Sequence, residues 1–206
     1  MSLDEVLMMG EAVVPTGGKI RESGMPPEEV WSSFFDVEEI LNRMKVNSGV
    51  IDAADFACGY GTFTIPTARR ITGIVYAVDI DPKMTQIVGS RARALGLVNV
   101  RPIIMDLMRE GSGLNDESVD YVMLFNILHS EQPRILVEEA FRVLRQREIV
   151  GIIHWIRDSR TPRGPPLDLR PTIEQCVEWC LESGFAHASA MSMELKPYHF
   201  GLIMRK

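Results

Sequence analysis

A run of small residues and a carboxylate at the end of the next apolar run have the clearest binding chemistry in this sequence. Residues 51–57 are mostly apolar, and Ala57, Gly59 and Gly61 stand at every second position. Small residues at this spacing form a tight loop in which the backbone can approach a ligand closely. The next apolar run, residues 74–78, leads to Asp79, and an acid at a strand tip can accept hydrogen bonds from both hydroxyls of a ribose. Together the two features predict a nucleoside-type ligand.

The residues after Gly61 indicate which kind of nucleoside fits. A dinucleotide loop needs a third glycine or alanine three residues later, so that helix and strand pack tightly beneath a pyrophosphate. Thr64 occupies that position here, and Ile65 and Pro66 follow it. The loop therefore favours a nucleoside without a pyrophosphate, and it disfavours an NAD-binding oxidoreductase.

The sequence around this loop resembles the class I S-adenosylmethionine-dependent methyltransferases, in particular their type 11 and type 25 domains. Residues 55–61 and 78–82 resemble the first two motifs of that family, and the resemblance continues through residues 119–129 and 139–144. It covers roughly residues 36–206 and implies S-adenosylmethionine as the cofactor and methyl transfer as the reaction. The cofactor-binding positions that it implies are Asp55, Ala57, Cys58, Gly59, Tyr60, Gly61, Asp79, Ile80, Asp106, Leu107 and Asn126.

Three positions need separate comment. Asp106 ends the third predicted strand, where the resemblance implies a bond to the adenine amino group; a solvated loop aspartate is the alternative. Ala57 stands where the family usually has its first glycine, which a close backbone approach tolerates. Residues 145–148 replace the family's usual Lys-Pro-Gly-Gly turn, and we expect this to alter a turn far from the cofactor.

Three histidines and one tyrosine are candidates for the chemistry of the methyl acceptor. Methyl transfer from a sulfonium depends mainly on alignment and exclusion of water, and a base is needed only if the acceptor must lose a proton. His129, His154 and His199 map to the sheet edge where ligands bind. We expect some of them to line the acceptor pocket, with Tyr198 as an orienting hydroxyl; a structural role is the alternative for each. Their spacing does not support a metal site.

The proline-rich loop after the fifth predicted strand contains Arg157, Arg160, Arg163 and Arg170. These arginines either belong to a solvated loop or bind a carboxylate or phosphate of the acceptor bidentately. The second interpretation allows RNA or protein as acceptor, although the family's Asn/Asp-Pro-Pro-aromatic signature is absent after the fourth strand. We therefore expect a small-molecule acceptor. An RNA or protein methyltransferase, or a non-catalytic S-adenosylmethionine-binding partner domain, is the alternative.

The composition is that of a globular protein from a reducing compartment. Of the 206 residues, 46% are hydrophobic and 24% charged, and the net charge is −6. This negative charge disfavours nucleic acid as a partner without excluding it, and no apolar run is long enough to span a bilayer. Three cysteines, an odd number, argue against a disulfide framework. We expect a cytoplasmic protein; its oligomeric state is not indicated.

Alternating apolar runs and helical segments must position these residues. The predicted strands are residues 51–57, 74–78, 100–105, 121–125 and 149–155, and the predicted helices are residues 64–71, 82–95, 132–144 and 172–184. A hairpin of residues 186–193 and 198–204 follows. This pattern predicts an α/β, Rossmann-like, doubly wound and mainly parallel seven-stranded sheet with an antiparallel strand in the C-terminal hairpin. The resemblance implies the strand order 3-2-1-4-5-7-6.

Helix-capping signals and the first 35 residues complete the prediction. Thr64 and Asp81 are predicted to be N-caps, which leaves Asp79 free to bind a ribose. Residues 1–35 are predicted to form an N-terminal arm that ends in an aromatic helix, and residues 36–206 the methyltransferase domain. That helix either packs on the domain or acts as a lid over the active site.

Overall fold

The computed structural model describes residues 25–206, except for the side chains of residues 187–189. In chain order, its helices and strands are α1 (Glu28–Ser32), α2 (Val37–Arg43), β1 (Ala53–Phe56), α3 (Thr64–Arg70), β2 (Val75–Asp79), α4 (Pro82–Ala94), β3 (Val100–Ile104), β4 (Val119–Phe125), α5 (Pro133–Val143), β5 (Leu144–Trp155), α6 (Ile173–Glu182), β6 (Ala186–Leu195) and β7 (His199–Arg205). A short 3-10 helix, Leu167–Leu169, precedes α6.

The strands form one sheet in the order β3-β2-β1-β4-β5-β7-β6. Neighbouring strands are parallel from β3 to β5, whereas β7 pairs antiparallel with both β5 and β6. The predicted fold class and strand order are therefore confirmed. The winding direction reverses between β1 and β4, and in open α/β sheets the crevice beyond the carboxyl ends of such neighbouring strands is where ligands bind.

Two hydrophobic cores cover the two faces of the sheet. Residues from α1 to α4 pack in one core, and residues from α5 and α6 pack in the other. Strand β4 is buried at every position, which explains its continuous apolar sequence. Cys176 and Cys180 of α6 are buried in the second core and are free thiols. No helix within residues 25–206 is long and apolar enough to cross a membrane.

Side-chain caps mark the starts of three of the six α-helices in residues 25–206: α2, α4 and α6. The Asp81 side chain accepts a hydrogen bond from Lys83 N at the start of α4, and Thr172 and Gln175 form a capping box at the start of α6. The predicted N-cap role of Thr64 is wrong. Thr64 is the first residue of α3 rather than the residue before it, and its hydroxyl is engaged elsewhere.

Residues 145–148, which replace the family's usual turn, lie near the amino ends of the parallel strands. Strand β5 begins at Leu144, directly after α5 and before the predicted start at residue 149. The Arg145 guanidinium lies 2.6 Å from an Asp120 carboxylate oxygen and 3.2 Å from one of Asp52, near the amino ends of β4 and β1. These ion pairs are therefore at the opposite edge from the residues 57–61 loop.

The aromatic residues of the predicted helix pack on one face of the sheet. The helix α1 ends at Ser32, so Phe34 and Phe35 lie just beyond it. The ring centroid of Phe34 is 5.1 Å from that of Trp155, and the ring centroid of Phe35 is 5.2 Å from that of Phe63. Trp31 in turn contacts Phe35 at 4.8 Å. The aromatic segment of the predicted arm therefore belongs to the first core, while residues 1–24 lie outside the described residues.

Candidate active site

The small-residue loop after β1 has three residues in the left-handed region of backbone conformation. The φ angles are +60° at Ala57, +52° at Gly59 and +78° at Gly61. A Cβ atom added to Gly61 would lie 2.9 Å from Cγ2 of Val88 in α4, so the loop packs too closely on that helix for any side chain. This loop, residues 57–61, is called the glycine loop below.

Asp79 at the end of β2 joins the glycine loop to the start of α4. It is 3% exposed; one carboxylate oxygen accepts from Gly59 N and the other from Asp81 N, both at 2.9 Å. Burial raises its pKa, and these backbone hydrogen bonds oppose the rise. A carboxylate has about four acceptor positions, so Asp79 retains capacity for two ribose hydroxyls.

Asp55 at the end of β1 is buried beneath the glycine loop. The hydroxyl of Thr64 donates to its carboxylate at 2.6 Å. Burial raises the pKa of Asp55 to about 7; the Thr64 hydrogen bond opposes this rise, and the nearby Asp79 charge adds to it. The sequence did not indicate this contact with Thr64.

The remaining residues of the predicted cofactor site lie at the same edge of the sheet. Ile80 is 38% exposed, whereas Leu107 and Cys58 are buried. Burial raises the pKa of the Cys58 thiol well above its usual value, which does not favour a nucleophilic role. Asp106 accepts a hydrogen bond from Met108 N at 3.0 Å, as a loop aspartate commonly does.

Four buried side-chain atoms without a hydrogen-bond partner lie near the same edge. Among the described side chains, these atoms are Nδ2 and Oδ1 of Asn126, Oγ of Ser130 and Nε2 of His199. Asn126 follows β4 directly and has φ of +59°, an unusual conformation for a residue other than glycine. Buried polar atoms are rarely left unpaired, so a group outside the described residues, such as a bound ligand, is the natural partner. Sequence reasoning identified Asn126 and His199 but not Ser130.

The three candidate histidines do not form one cluster. His154 and His129 lie together, with Nε2 of the first 3.4 Å from Nδ1 of the second. His199 instead contacts Trp155 and Phe35, with ring centroids 4.3 and 4.7 Å apart. Because His154 and Trp155 are consecutive in β5, their side chains point to opposite faces of the sheet. The sheet therefore separates the His129–His154 pair from His199.

All three imidazoles are neutral at pH 7. Burial lowers the pKa of His129 to about 4 and that of His199 to about 3. Burial lowers the pKa of His154 well below its usual value, and the neighbouring His129 lowers it further. A neutral imidazole can accept a proton, but a pKa this far below 7 makes each of these imidazoles a weak base. Tyr198 lies beside Phe34 and Trp155, with ring centroids 6.2 and 6.1 Å away.

Two of the four loop arginines are engaged within the loop. Arg170 is buried, and its guanidinium donates to the carbonyls of Ile156 and Pro165 at 2.8 Å and to the Thr161 hydroxyl at 2.7 Å. Arg160 pairs with Asp158 through Nε and Nη2. These contacts hold the loop together. The exposed Arg160 agrees with a solvated loop, whereas the buried Arg170 matches neither alternative, because its guanidinium is used inside the loop.

Comparison with known solved structures confirms the fold. The chain is similar to an S-adenosylmethionine-dependent methyltransferase from Aquifex aeolicus, with 23% identity, a TM-score of 0.74, and coverage of 87% of this chain and 93% of that one. For a putative type 11 methyltransferase from Sulfolobus solfataricus the identity is 24%, the TM-score 0.65, and the coverage 82% and 90%.

A third solved structure has the same fold but a different described reaction. The [4+2]-cyclase SpnF is 17% identical, with a TM-score of 0.69 and coverage of 82% of this chain and 80% of that one. Comparison with curated proteins found no match. Residues 53–147 match the family model described as a methyltransferase domain. These residues, from β1 into the start of β5, are similar to a methyltransferase domain, and the similar solved structure from Aquifex aeolicus is described as dependent on S-adenosylmethionine, the cofactor that the resemblance implies.

Proposed function

We propose that the protein transfers the methyl group of S-adenosylmethionine to a small-molecule acceptor at the carboxyl edge of its sheet. The observation that carries this proposal is the set of buried, unpartnered polar atoms on Asn126, Ser130 and His199. Such atoms at a sheet edge that already has a nucleoside-type loop support a second ligand beside the cofactor.

The residues around the glycine loop fit the cofactor. The left-handed residues Ala57, Gly59 and Gly61 keep the loop backbone free of bulky side chains. Asp79 retains acceptor positions for the ribose hydroxyls, and Ile80, Asp106 and Leu107 are the residues that we propose for the adenine side. When bound, S-adenosylmethionine supplies a methyl group on a positively charged sulfur.

The other residues of this edge have three tasks in the proposal. The aromatic side chains of residues 31–35 exclude water from the edge, which strengthens every polar contact inside it. In place of the cofactor contact that the resemblance implies, the carboxamide of Asn126 is proposed to orient the acceptor, to which it offers one donor and one acceptor group. The Nε2 atom of His199 is unpartnered, so we propose that it accepts a hydrogen bond from an attacking hydroxyl or amine and takes its proton, although the lowered pKa of His199 makes it a weak base.

The hydrogen bonds of two loop arginines favour a small-molecule acceptor over RNA or protein. Binding of a phosphate or carboxylate requires free guanidinium donors, whereas the donors of Arg170 and Arg160 form hydrogen bonds within the loop.

The similarity to a [4+2]-cyclase is a reason to test the reaction directly, because proteins of the same fold can catalyse different reactions.

The first prediction concerns ligand specificity. S-adenosylmethionine and S-adenosylhomocysteine should each raise the free energy of unfolding by about 2.7 kcal/mol at a hundred times their dissociation constants, since they bind only the folded state. NAD should not stabilise the protein. Thermal melts measure this, and incubation with methyl-labelled cofactor and a panel of hydroxyl, amine and thiol compounds measures transfer. Stabilisation by NAD alone would contradict the proposal, and binding without transfer to any compound would favour a non-catalytic domain.

The second prediction concerns the histidines. Replacing His199 with glutamine should lower turnover by about 10²- to 10⁴-fold if it acts as the base, with little change in cofactor affinity. The same replacement of His129 or His154 should have a smaller effect, because the sheet separates that pair from the orphaned Nε2 of His199. Single-turnover rates and calorimetric affinities measure the two quantities separately. Full rates in all three variants would show that no histidine is the base.

A further inference from the structure

A short segment that ends at the first residue of α1 contacts the glycine loop. This segment, residues 25–28, is called the strap here. A Cβ atom added to Gly59 would lie 2.6 Å from the sulfur of Met25, so the Met25 side chain fills the space above that glycine. The Tyr60 hydroxyl donates to the carbonyl oxygen of Pro26 at 3.1 Å. Two strap residues therefore contact the loop directly.

Arg91 of α4 fastens the strap to the loop. Its Nη1 donates to the carbonyl oxygen of Tyr60 at 2.8 Å and lies 2.6 Å from Oε1 of Glu28. Its Nη2 donates to Oε2 of Glu28 at 2.9 Å, so the guanidinium and carboxylate are paired in the bidentate arrangement. One side chain thus joins three elements that are distant in sequence: α4, the glycine loop and the strap.

The contacts that hold the strap are separate from the aromatic contacts of the residues that follow it. Val30, Phe34 and Phe35 are buried and anchor the segment after the strap, whereas Met25 is only partly buried. The Arg91 and Glu28 side chains are 33% and 35% exposed, so their ion pair is partly screened by solvent. Opening the strap therefore costs this ion pair and the Tyr60–Pro26 hydrogen bond, while the aromatic contacts remain.

The strap covers the groups that a cofactor must reach. Asp79, the proposed ribose ligand, is 3% exposed, and it accepts a hydrogen bond from the backbone N–H of Gly59, the glycine that Met25 contacts. We infer that Arg91 is a positioning residue that holds the strap closed over the cofactor site and thereby sets the rate of cofactor exchange. This inference rests on the proposed function, since it concerns the same cofactor site.

Exchange kinetics test the inference, using labelled S-adenosylmethionine on the full chain. Association is followed by rapid mixing, and dissociation by chasing the preloaded protein with unlabelled S-adenosylhomocysteine. Glu28→Gln should raise both rates by about two- to fivefold, the factor expected for a partly exposed ion pair, with a smaller change in affinity. Arg91→Gln should raise them further because it also removes the bond to Tyr60, and Arg91→Lys should restore part of the wild-type rate.

A matched control removes an ion pair of similar kind elsewhere. Arg134 and Glu182 are 2.7 Å apart and join α5 to α6, on the other face of the sheet. Glu182→Gln should leave both exchange rates unchanged. Unchanged rates in Glu28→Gln and Arg91→Gln, or altered affinity with an unchanged association rate, would overturn the inference. Failure of the unaltered protein to bind S-adenosylmethionine would instead overturn the proposed function.

Discussion

Replacing Asp79 with alanine is expected to weaken S-adenosylmethionine binding by about 100-fold or more. The proposed contact places two ribose hydroxyls on one carboxylate, and each hydrogen bond to a charged group contributes about 1.5–3 kcal/mol. The replacement also removes the acceptors of Gly59 N and Asp81 N, which loosens the glycine loop. Isothermal titration calorimetry with S-adenosylmethionine and S-adenosylhomocysteine measures the loss of affinity.

Asp81 provides the matched control, since it is an acid only two residues away. Its side chain caps α4 by accepting from Lys83 N at 2.8 Å. Asp81→Ala should lower the free energy of unfolding by about 1 kcal/mol, the usual effect of a lost cap, and leave the affinity close to wild type. Equal affinities in the wild type and Asp79→Ala would show that the β2 tip does not bind the ribose.

The second large effect is expected at Asp55, as a change in the pH dependence of stability. Its pKa is about 7 in the folded protein, compared with an ordinary value of 3.8. Between these values the folded state binds a proton that the unfolded state has lost, so stability falls as pH rises, by about 1.4 kcal/mol per pH unit. Asp55→Asn imitates the protonated carboxyl and should be more stable than wild type by about 4 kcal/mol above pH 7.

Denaturant unfolding of both proteins from pH 5 to pH 8 measures this difference. The histidines have the opposite effect on the pH dependence of stability. Their pKa values are lowered on folding, so their contribution to the free energy of unfolding is lost as pH falls below about 6.5. They are present in both proteins, so the difference between the two curves isolates Asp55. A constant difference across this range would show that Asp55 does not titrate there.

The glycine loop was predictable because its signal lies in a few neighbouring residues. The strand order was predictable only from the resemblance to a known family. The alternation of small residues after β1 and the acid after β2 lie within short stretches of sequence. The role of Thr64 was not predictable in this way. A threonine near a helix start commonly caps it, whereas this hydroxyl is bonded to Asp55, nine residues earlier and beneath the loop. That contact depends on how strand and helix pack.

The histidines show a second limit of sequence reasoning. Their positions at the sheet edge could be predicted, but the face of the sheet on which each lies depends on strand register. His199 pairs with Trp155 across β5 and β7, which places it with the aromatic residues of the first core, away from His154. Arg170 is a similar case, since only the folded loop brings its backbone acceptors together.

The antiparallel strand β7 has a consequence for synthesis on the ribosome. It lies between β5 and β6, although residues 199–205 follow both of those strands in the chain. The edge of β5 therefore stays unpaired during translation until this last strand has emerged, and an open edge can pair with other chains. A nascent chain halted before residue 199 should accordingly depend on chaperones, while the cofactor loop and the strands around it have already been made.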